Sequence, residues 1–560
     1  MKAFKIIFAA LAATAALAGC AKETTLPSFE NDKVNPVAEG TRVIAISFAP
    51  QTKTSYTTTE TGGIQPTFEG GESILLVSYP EDTNADPITE TTTVQFDKKT
   101  ETATISTNLT GELTAYYPAS LASFSAKKNE WYIFVPSEQK DGTFANANIC
   151  STTIAENATS ANFENMYALF VITPPEGTKK LTIKSLRTIG EEGQRSVEDR
   201  PIICGTGDDS FKITVGDGTA VIPSPCYVAM IGGNVNLSDL SFEATFDEEG
   251  TTGYIKGITT SAIAANAGTG IAVGSEEYDN ANTVRDGTAY TIDGNNWHEY
   301  VTIAGRKWAT MNVGASKPED AGDYFMWGEV KGHKADLSKT PSEDVYADAF
   351  LSDFSSFSLD SRYKEDLWTP DEGFSGHNTP FVVTATPEEN EYVGVLWTCT
   401  FSKYTDESGG VLEFCDDAAN VNWGGAWHMP TKEDVVSLNN IAEQQWTTDY
   451  NSTGTKGSVF SENGQNLFFP ASGSGWGSDL KYLTYSYAWS SSYFMVEGNS
   501  IPYGIQITSY TDWRVYNPYQ ASRHLGLPIR AIIDEPKEEI QSDDENENYK
   551  HESTTDWFDD

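Results

Sequence analysis

A mainly β protein is what this sequence predicts, on three observations. Strand-length runs of β-branched and aromatic residues recur between turn signals, helical spacing of apolar residues is scarce, and the 560 residues exceed a single core, since domains usually hold about 100–200 residues. In order, the runs are Arg42–Phe48, Ser73–Ser78, Thr91–Phe96, Glu112–Tyr117, Trp131–Val135, Tyr167–Ile172 and Lys180–Ile183. Thr219–Val221, Cys226–Ile231, Ser241–Phe246 and Gly253–Ile258 continue the pattern. That spacing argues for β-sandwiches. A polar, turn-rich stretch from Gly274 to Gly287 then marks a boundary, beyond which Trp, Gly, Tyr and Ser dominate. One helix is expected there, at Thr431–Ala442, with Thr431 as its cap and Glu433 and Asp434 in its first turn. From Asp534 to Asp560 the chain is acidic and without strand or helix pattern, which reads as a disordered tail.

The beginning of the chain carries an address. Met1, Lys2 and Lys5 precede an apolar run, Ile6–Leu17, that ends in Leu17-Ala18-Gly19-Cys20, a bacterial lipoprotein signal. The run is shorter than the roughly 20 apolar residues of a permanent span. The mature protein is therefore expected to start at an acylated Cys20 that fixes it to a lipid bilayer. Residues 21–38 are polar and broken by proline, as a flexible tether would be.

Charge and cysteines narrow the function classes. Asp and Glu outnumber Lys and Arg by 80 to 37, for a formal charge of −43, which repels phosphate backbones and excludes nucleic acid as a partner. Cys150, Cys204, Cys226, Cys399 and Cys415 form no Cys-x-x-Cys pair and have no close histidine, so zinc-site spacing is absent. Disulfides such as Cys204–Cys226 or Cys399–Cys415 and a set of buried thiols stand as equal readings. Neither a nucleophile elbow nor a phosphate loop occurs in a strand-to-helix context. Chance close carboxylates such as Glu413 and Asp416 are no glycosidase pair, which needs a separation of about 5–10 Å that sequence does not display. We therefore expect no enzyme, no cofactor and no metal.

Two resemblances refine this picture. Lys53-Thr-Ser-Tyr56, Ile64-Gln-Pro-Thr-Phe-Glu-Gly-Gly-Glu-Ser-Ile74, Ala115-Tyr-Tyr-Pro-Ala119, Val135-Pro-Ser-Glu-Gln139, the Asn165–Val171 run and Ala265-Asn-Ala-Gly268 stand in the order seen in fimbrillin-like surface proteins of Bacteroidetes. The resemblance covers roughly residues 38–275. It implies two transthyretin-like β-sandwiches, a lipoprotein precursor, and a role in pilus assembly or adhesion. Further on, Tyr300-Val-Thr-Ile-Ala-Gly-Arg-Lys-Trp-Ala-Thr-Met-Asn-Val313, Trp423-Gly-Gly-Ala-Trp-His-Met-Pro-Thr431, Leu467-Phe-Phe-Pro-Ala-Ser-Gly473, Ala488-Trp-Ser-Ser-Ser492 and Pro528-Ile-Arg530 resemble the Fibrobacter succinogenes major paralogous domain. That likeness implies a C-type-lectin-like α+β unit, here lengthened by an inserted segment from Lys334 to Phe414.

The expected organisation is a signal peptide at 1–20, a tether at 21–38, sandwiches at 39–162 and 163–275, a linker at 276–297, a lectin-like domain at 298–533 and a tail at 534–560. Trp427, Met429, Leu438, Trp489 and Ile529 are expected in the core of the third unit, with Arg530 buried against a carboxylate or carbonyl. For ligand contact the sequence favours Tyr493–His524, above all Tyr503, Tyr510, Trp513 and Tyr516, because aromatic and small polar residues there are dense. The functional expectation is a lipid-anchored adhesion protein of the cell outer membrane, a pilus tip or accessory subunit, whose ligand is a glycan or protein on host or other bacterial cells. The alternatives are a structural fimbrial subunit that joins other pilus subunits by strand donation and a surface polysaccharide-processing enzyme.

Overall fold

A computed structural model describes residues 41–48, 68–185, 212–262, 284–350, 384–400, 404–508 and 519–534, apart from short stretches inside these ranges. The molecule is mainly β. The signal, the tether, most of the expected tail and the first part of the expected linker lie outside the described residues.

The first sheet is built from β1 (Arg42–Phe48), β2 (Ser73–Ser78), β3 (Ile88–Thr93), β4 (Gln95–Asp97), β5 (Thr102–Thr107), β6 (Leu113–Tyr117), β7 (Cys150–Ile154) and β8 (Ser160–Asn165). Its spatial order is β3-β2-β6-β7-β8-β1-β5-β4, with β1 parallel to β8 and antiparallel to β5. Alternation explains the core: Ile44, Ile74, Leu76, Ile105, Leu113, Ile154 and Phe163 all point inward and are fully buried. Side chains also tie β3 to β5. Thr92 Oγ1 donates to the Ser106 carbonyl at 2.8 Å, and Thr107 Oγ1 donates to Glu90 Oε2 at 2.7 Å.

The second group comprises β9 (Ala168–Ile172), β10 (Lys180–Ser185), β11 (Lys212–Val215), β12 (Cys226–Met230), β13 (Leu240–Thr245) and β14 (Thr252–Gly257). Two of the sequence expectations change here. Thr219–Val221 is a turn, because Asp217 Oδ1 takes hydrogen bonds from both the amide and the hydroxyl of Thr219, at 2.9 and 2.6 Å, and Val221 is left exposed. The stretch 276–297 is not linker throughout, because β15 (Ala289–Ile292) lies within it and pairs parallel with β9. Ala289 and Ile292 are buried there. Cys150 and Cys226 are buried thiols, and burial raises both, the latter to about 12. Cys204 lies outside the described residues, as does the side chain of Cys399.

The chain then enters β16 (His298–Ile303) and β17 (Arg306–Ala309). These do not begin a separate sheet. The order β11-β10-β13-β14-β16-β17-β26, closed by β26 (Ile532–Asp534), makes one seven-stranded sheet shared by the second sandwich and the C-terminal region. Gly253 opposes Tyr300 and Thr252 opposes Val301 across the β14–β16 pair.

Two helices follow, α1 (Ala418–Trp423) and α2 (Lys432–Ile441). Asp417 caps α1 and Thr431 caps α2, the latter in a reciprocal box with Asp434. After them come β18 (Glu443–Tyr450), β19 (Thr455–Glu462), β20 (Gln465–Pro470), β21 (Ser474–Trp476), β22 (Asp479–Lys481), β23 (Tyr485–Val496), β24 (Asn499–Thr508) and β25 (Tyr519–Gln520). Trp327, Trp427, Met429, Trp489 and Ile529 share one cluster, to which Ile255 of β14 also contributes. Leu438 belongs instead to a neighbouring cluster with Trp308, Phe469 and Ala488. Arg530 is fully buried on carbonyls: its guanidinium donates to Asn312 Oδ1 at 2.8 Å and to the backbone oxygens of Ala309 and Thr310. Of the inserted segment, Thr384–Asn390 and Gly394–Thr400 pair antiparallel.

Candidate functional site

The residues expected to touch ligand are only partly placed. Tyr503 lies on β24 opposite Gln520, while Tyr510, Trp513 and Tyr516 lie outside the described residues. The chain enters that stretch at Thr508, paired with Tyr485, and leaves it at Tyr519, paired with Gly504. Tyr493, at the head of the same aromatic run, is core: its ring sits 5.7 Å from Trp327 and 5.6 Å from Tyr404.

Four large rings are exposed among the described residues, and while Tyr79 and Phe124 belong to the N-terminal part, the other two stand just before β23. Trp476 is 42% exposed and Tyr482 45%. The hairpin β21–β22 holds them, with Trp476 opposite Asp479 and a turn through Gly477, whose φ of +63° suits a residue without a side chain. The alternate residue Leu480 is buried with Tyr324, Met326 and Phe350, so one face of the hairpin is anchored while the other stays wet. Val345 and Tyr346 pair with Lys481 and Leu480 to widen the platform.

Tyr482 itself has a φ of +62°, a left-handed conformation rare for a bulky side chain. Its amide donates to the Asp344 carbonyl at 3.2 Å, and its own carbonyl accepts the Tyr485 amide at 3.0 Å. The ring then meets Tyr485 edge-on at 6.3 Å, and Tyr485 stacks beside Tyr487 at 5.9 Å. Polar groups surround the rings. Lys481 Nζ lies 5.7 Å from the Trp476 ring centroid and 3.8 Å from Asp479 Oδ2. Asp479 Oδ1 accepts the Asp348 amide, and Thr484 Oγ1 donates to Asp344 Oδ2 at 3.4 Å. This rim offers aromatic faces, carboxylates and one ammonium on a rigid base, a combination suited to non-covalent recognition of ring faces and hydroxyls.

Sequence reasoning passed over this rim. The signal was a tryptophan inside Ser472-Gly-Ser-Gly-Trp-Gly-Ser478, where glycine and serine leave a large ring no local core to join.

A second polar cluster, at the joint of the two halves, is buried. Glu243 Oε1 on β13 accepts from Tyr300 Oη at 2.6 Å and Lys307 Nζ at 2.7 Å, and Lys184 Nζ lies 3.5 Å from Oε2. Burial pushes the Glu243 carboxyl up, but Lys307, Lys184 and Tyr300 outweigh it and hold it below the usual carboxylate range. Nearby, His298 stacks on Trp423 at 3.7 Å, and burial, with a smaller push from Lys256, takes it down to about 4. Among the described residues, Glu413, Cys415 and Asp416 bring three potential metal-ligand atoms within 4.8 Å of one another. Asp416 is also the acceptor for the Tyr404 hydroxyl, and Cys415 Sγ donates to Glu413 Oε2 at 3.6 Å.

No family model matches the chain, and no curated protein does. Among solved structures, a candidate adhesin from Bacteroides ovatus aligns at 9% identity and a TM-score of 0.16, over 48% of this chain and 98% of its own. A fimbrial protein from the same organism aligns at 10% identity and a TM-score of 0.17, over 79% of this chain and 98% of its own. Scores at that level do not establish a shared fold with either protein.

Proposed function

We propose that the chain is a non-catalytic adhesion protein of the cell surface, anchored in the outer membrane through acylated Cys20 and displayed as a pilus tip or accessory subunit. It contacts a glycan or protein ligand through the Trp476–Tyr482 rim and through Tyr503, Tyr510, Trp513 and Tyr516. The observation that carries the reading is the rim: two large rings held in water by a hairpin whose opposite face is core. An exposed aromatic on a rigid base loses little entropy when it binds, which is why such residues dominate interfaces. The lipoprotein signal supplies the anchor, and the resemblance to fimbrillin-like proteins supplies the setting.

The test is a glycan and matrix-protein array probed with the mature chain and with Trp476→Ala and Tyr482→Ala, each first checked for an unchanged melting temperature. Truncating a contact of this kind costs about 2 kcal/mol or more, roughly thirtyfold in affinity. Folded variants that bind every ligand as the parent does would place the contact surface elsewhere.

A further inference from the structure

The glycines where the two halves meet point to an interface that composition had hidden. Gly424 and Gly425 have a local reason to be glycine, since φ is +70° and +58° where the chain leaves α1. Gly257 has none. It ends β14 in ordinary strand geometry, yet a Cβ there would overlap the Gly424 carbonyl group and lie 2.5 Å from the Trp423 carbonyl oxygen. In the other direction, a Cβ on Gly425 would lie 2.6 Å from Ser241 Oγ and 2.7 Å from the Leu240 carbonyl oxygen. Backbone meets backbone at this point.

Hydrogen bonds complete the contact. The Ala426 amide donates to Ser241 Oγ at 2.7 Å, the Gly425 amide to the Ser238 carbonyl at 3.1 Å, and the Thr302 amide to the Thr251 carbonyl at 3.1 Å. Added to these are the β14–β16 ladder, the His298–Trp423 stack and the buried Glu243–Lys307–Tyr300 group.

We infer that the Trp423–Thr431 segment is a docking element whose partner is the β13–β14 hairpin of the second sandwich, so that residues 163–534 fold as one cooperative body. In place of a separable lectin-like unit, the C-terminal region uses β14 as the neighbour its strand β16 requires. An exposed β16 edge and a Gly-Gly turn facing water would be the cost of separation.

Hydrogen exchange on the mature chain in graded urea tests this. Amides of the C-terminal region, such as those of β19 and β20, should lose protection at the same urea concentration as those of β13 and β14. Gly257→Val should raise exchange at Thr302, Gly425 and Ala426 at least tenfold and carry β19 and β20 with them. If that variant does not fold, Ser241→Ala serves: exchange at Ala426 should rise at least threefold, with one shared shift of both regions. The inference is overturned if β19 and β20 keep parental protection after β13 and β14 have opened, or if either substitution moves one region alone.

Discussion

Replacing Glu243 by glutamine should be among the most damaging single-atom changes in this protein. The substitution keeps the shape and one acceptor oxygen but removes the negative charge that Lys307 Nζ contacts at 2.7 Å, where the lysine side chain is 7% exposed. Breaking a buried pair from one side costs about 3–5 kcal/mol, because the partner charge is left in a poor solvent. Lys184, at 29% exposure, can turn toward water and spare part of that, so the lower end, about 3 kcal/mol, is expected. The measurement is urea unfolding of the mature chain followed by the fluorescence of buried tryptophans such as Trp308 and Trp489. The Glu243→Gln, Lys307→Met double variant should recover most of the loss, since replacing both partners removes the stranded charge. Because the folded Glu243 carboxyl lies below its ordinary value, its contribution is complete above about pH 4.5 and disappears as the pH falls through the folded value. A single variant that loses less than about 1 kcal/mol, or a double variant no better than the single, would refute the reasoning.

Three further outcomes are expected. His298 is about 4 in the folded protein against 6.5 for a free imidazole, so the unfolded chain binds the proton first and stability falls as pH drops below 6.5. About 2 kcal/mol should go between pH 6.5 and 5, and His298→Phe, which keeps a ring over Trp423, should flatten that slope in urea titrations at several pH values. Thr431→Ala removes the cap of α2 and should cost about 1 kcal/mol by the same assay, with an unchanged midpoint counting against the capping role. Cys20→Ser should abolish labelling of the protein by a metabolic fatty acid, and retained label would sink the lipid-anchor proposal.

How much of this was legible depended on whether the signal was local. Arg42–Phe48 read correctly because Ile44 and Ile46 alternate inward, and Ser73–Ser78 because Ile-Leu-Leu-Val is a continuous apolar run of strand length, buried along all four residues. Strands β7 and β8, Cys-Ser-Thr-Thr-Ile and Ser-Ala-Asn-Phe-Glu-Asn, were missed because polar residues fill their outward positions and dilute the run. The Thr431 cap was readable from spacing alone, whereas the carbonyl cradle of Arg530 was legible only as a need, not as the particular oxygens of Ala309 and Thr310. The pairing of β14 with β16 was invisible, since nothing in either strand names its partner and the intervening polar stretch looks like a boundary. Of the candidate site, aromatic density drew attention to Tyr493–His524 and away from the rim that precedes it. It did not reveal that Tyr493 turns inward while Trp476 and Tyr482 stay in water.

The position of β26 sets an order of events for the folding chain. Strand β17 receives its second neighbour only when Ile532–Asp534 arrives, long after Arg306–Ala309 has left the ribosome. Until then the sheet that joins both halves has one open margin, and closing it means capturing a segment far away in sequence, a slow step on entropic grounds. A chain caught part-way through folding would thus present a ready template for stray strands, and its escape from that state depends on the arrival of Ile532–Asp534.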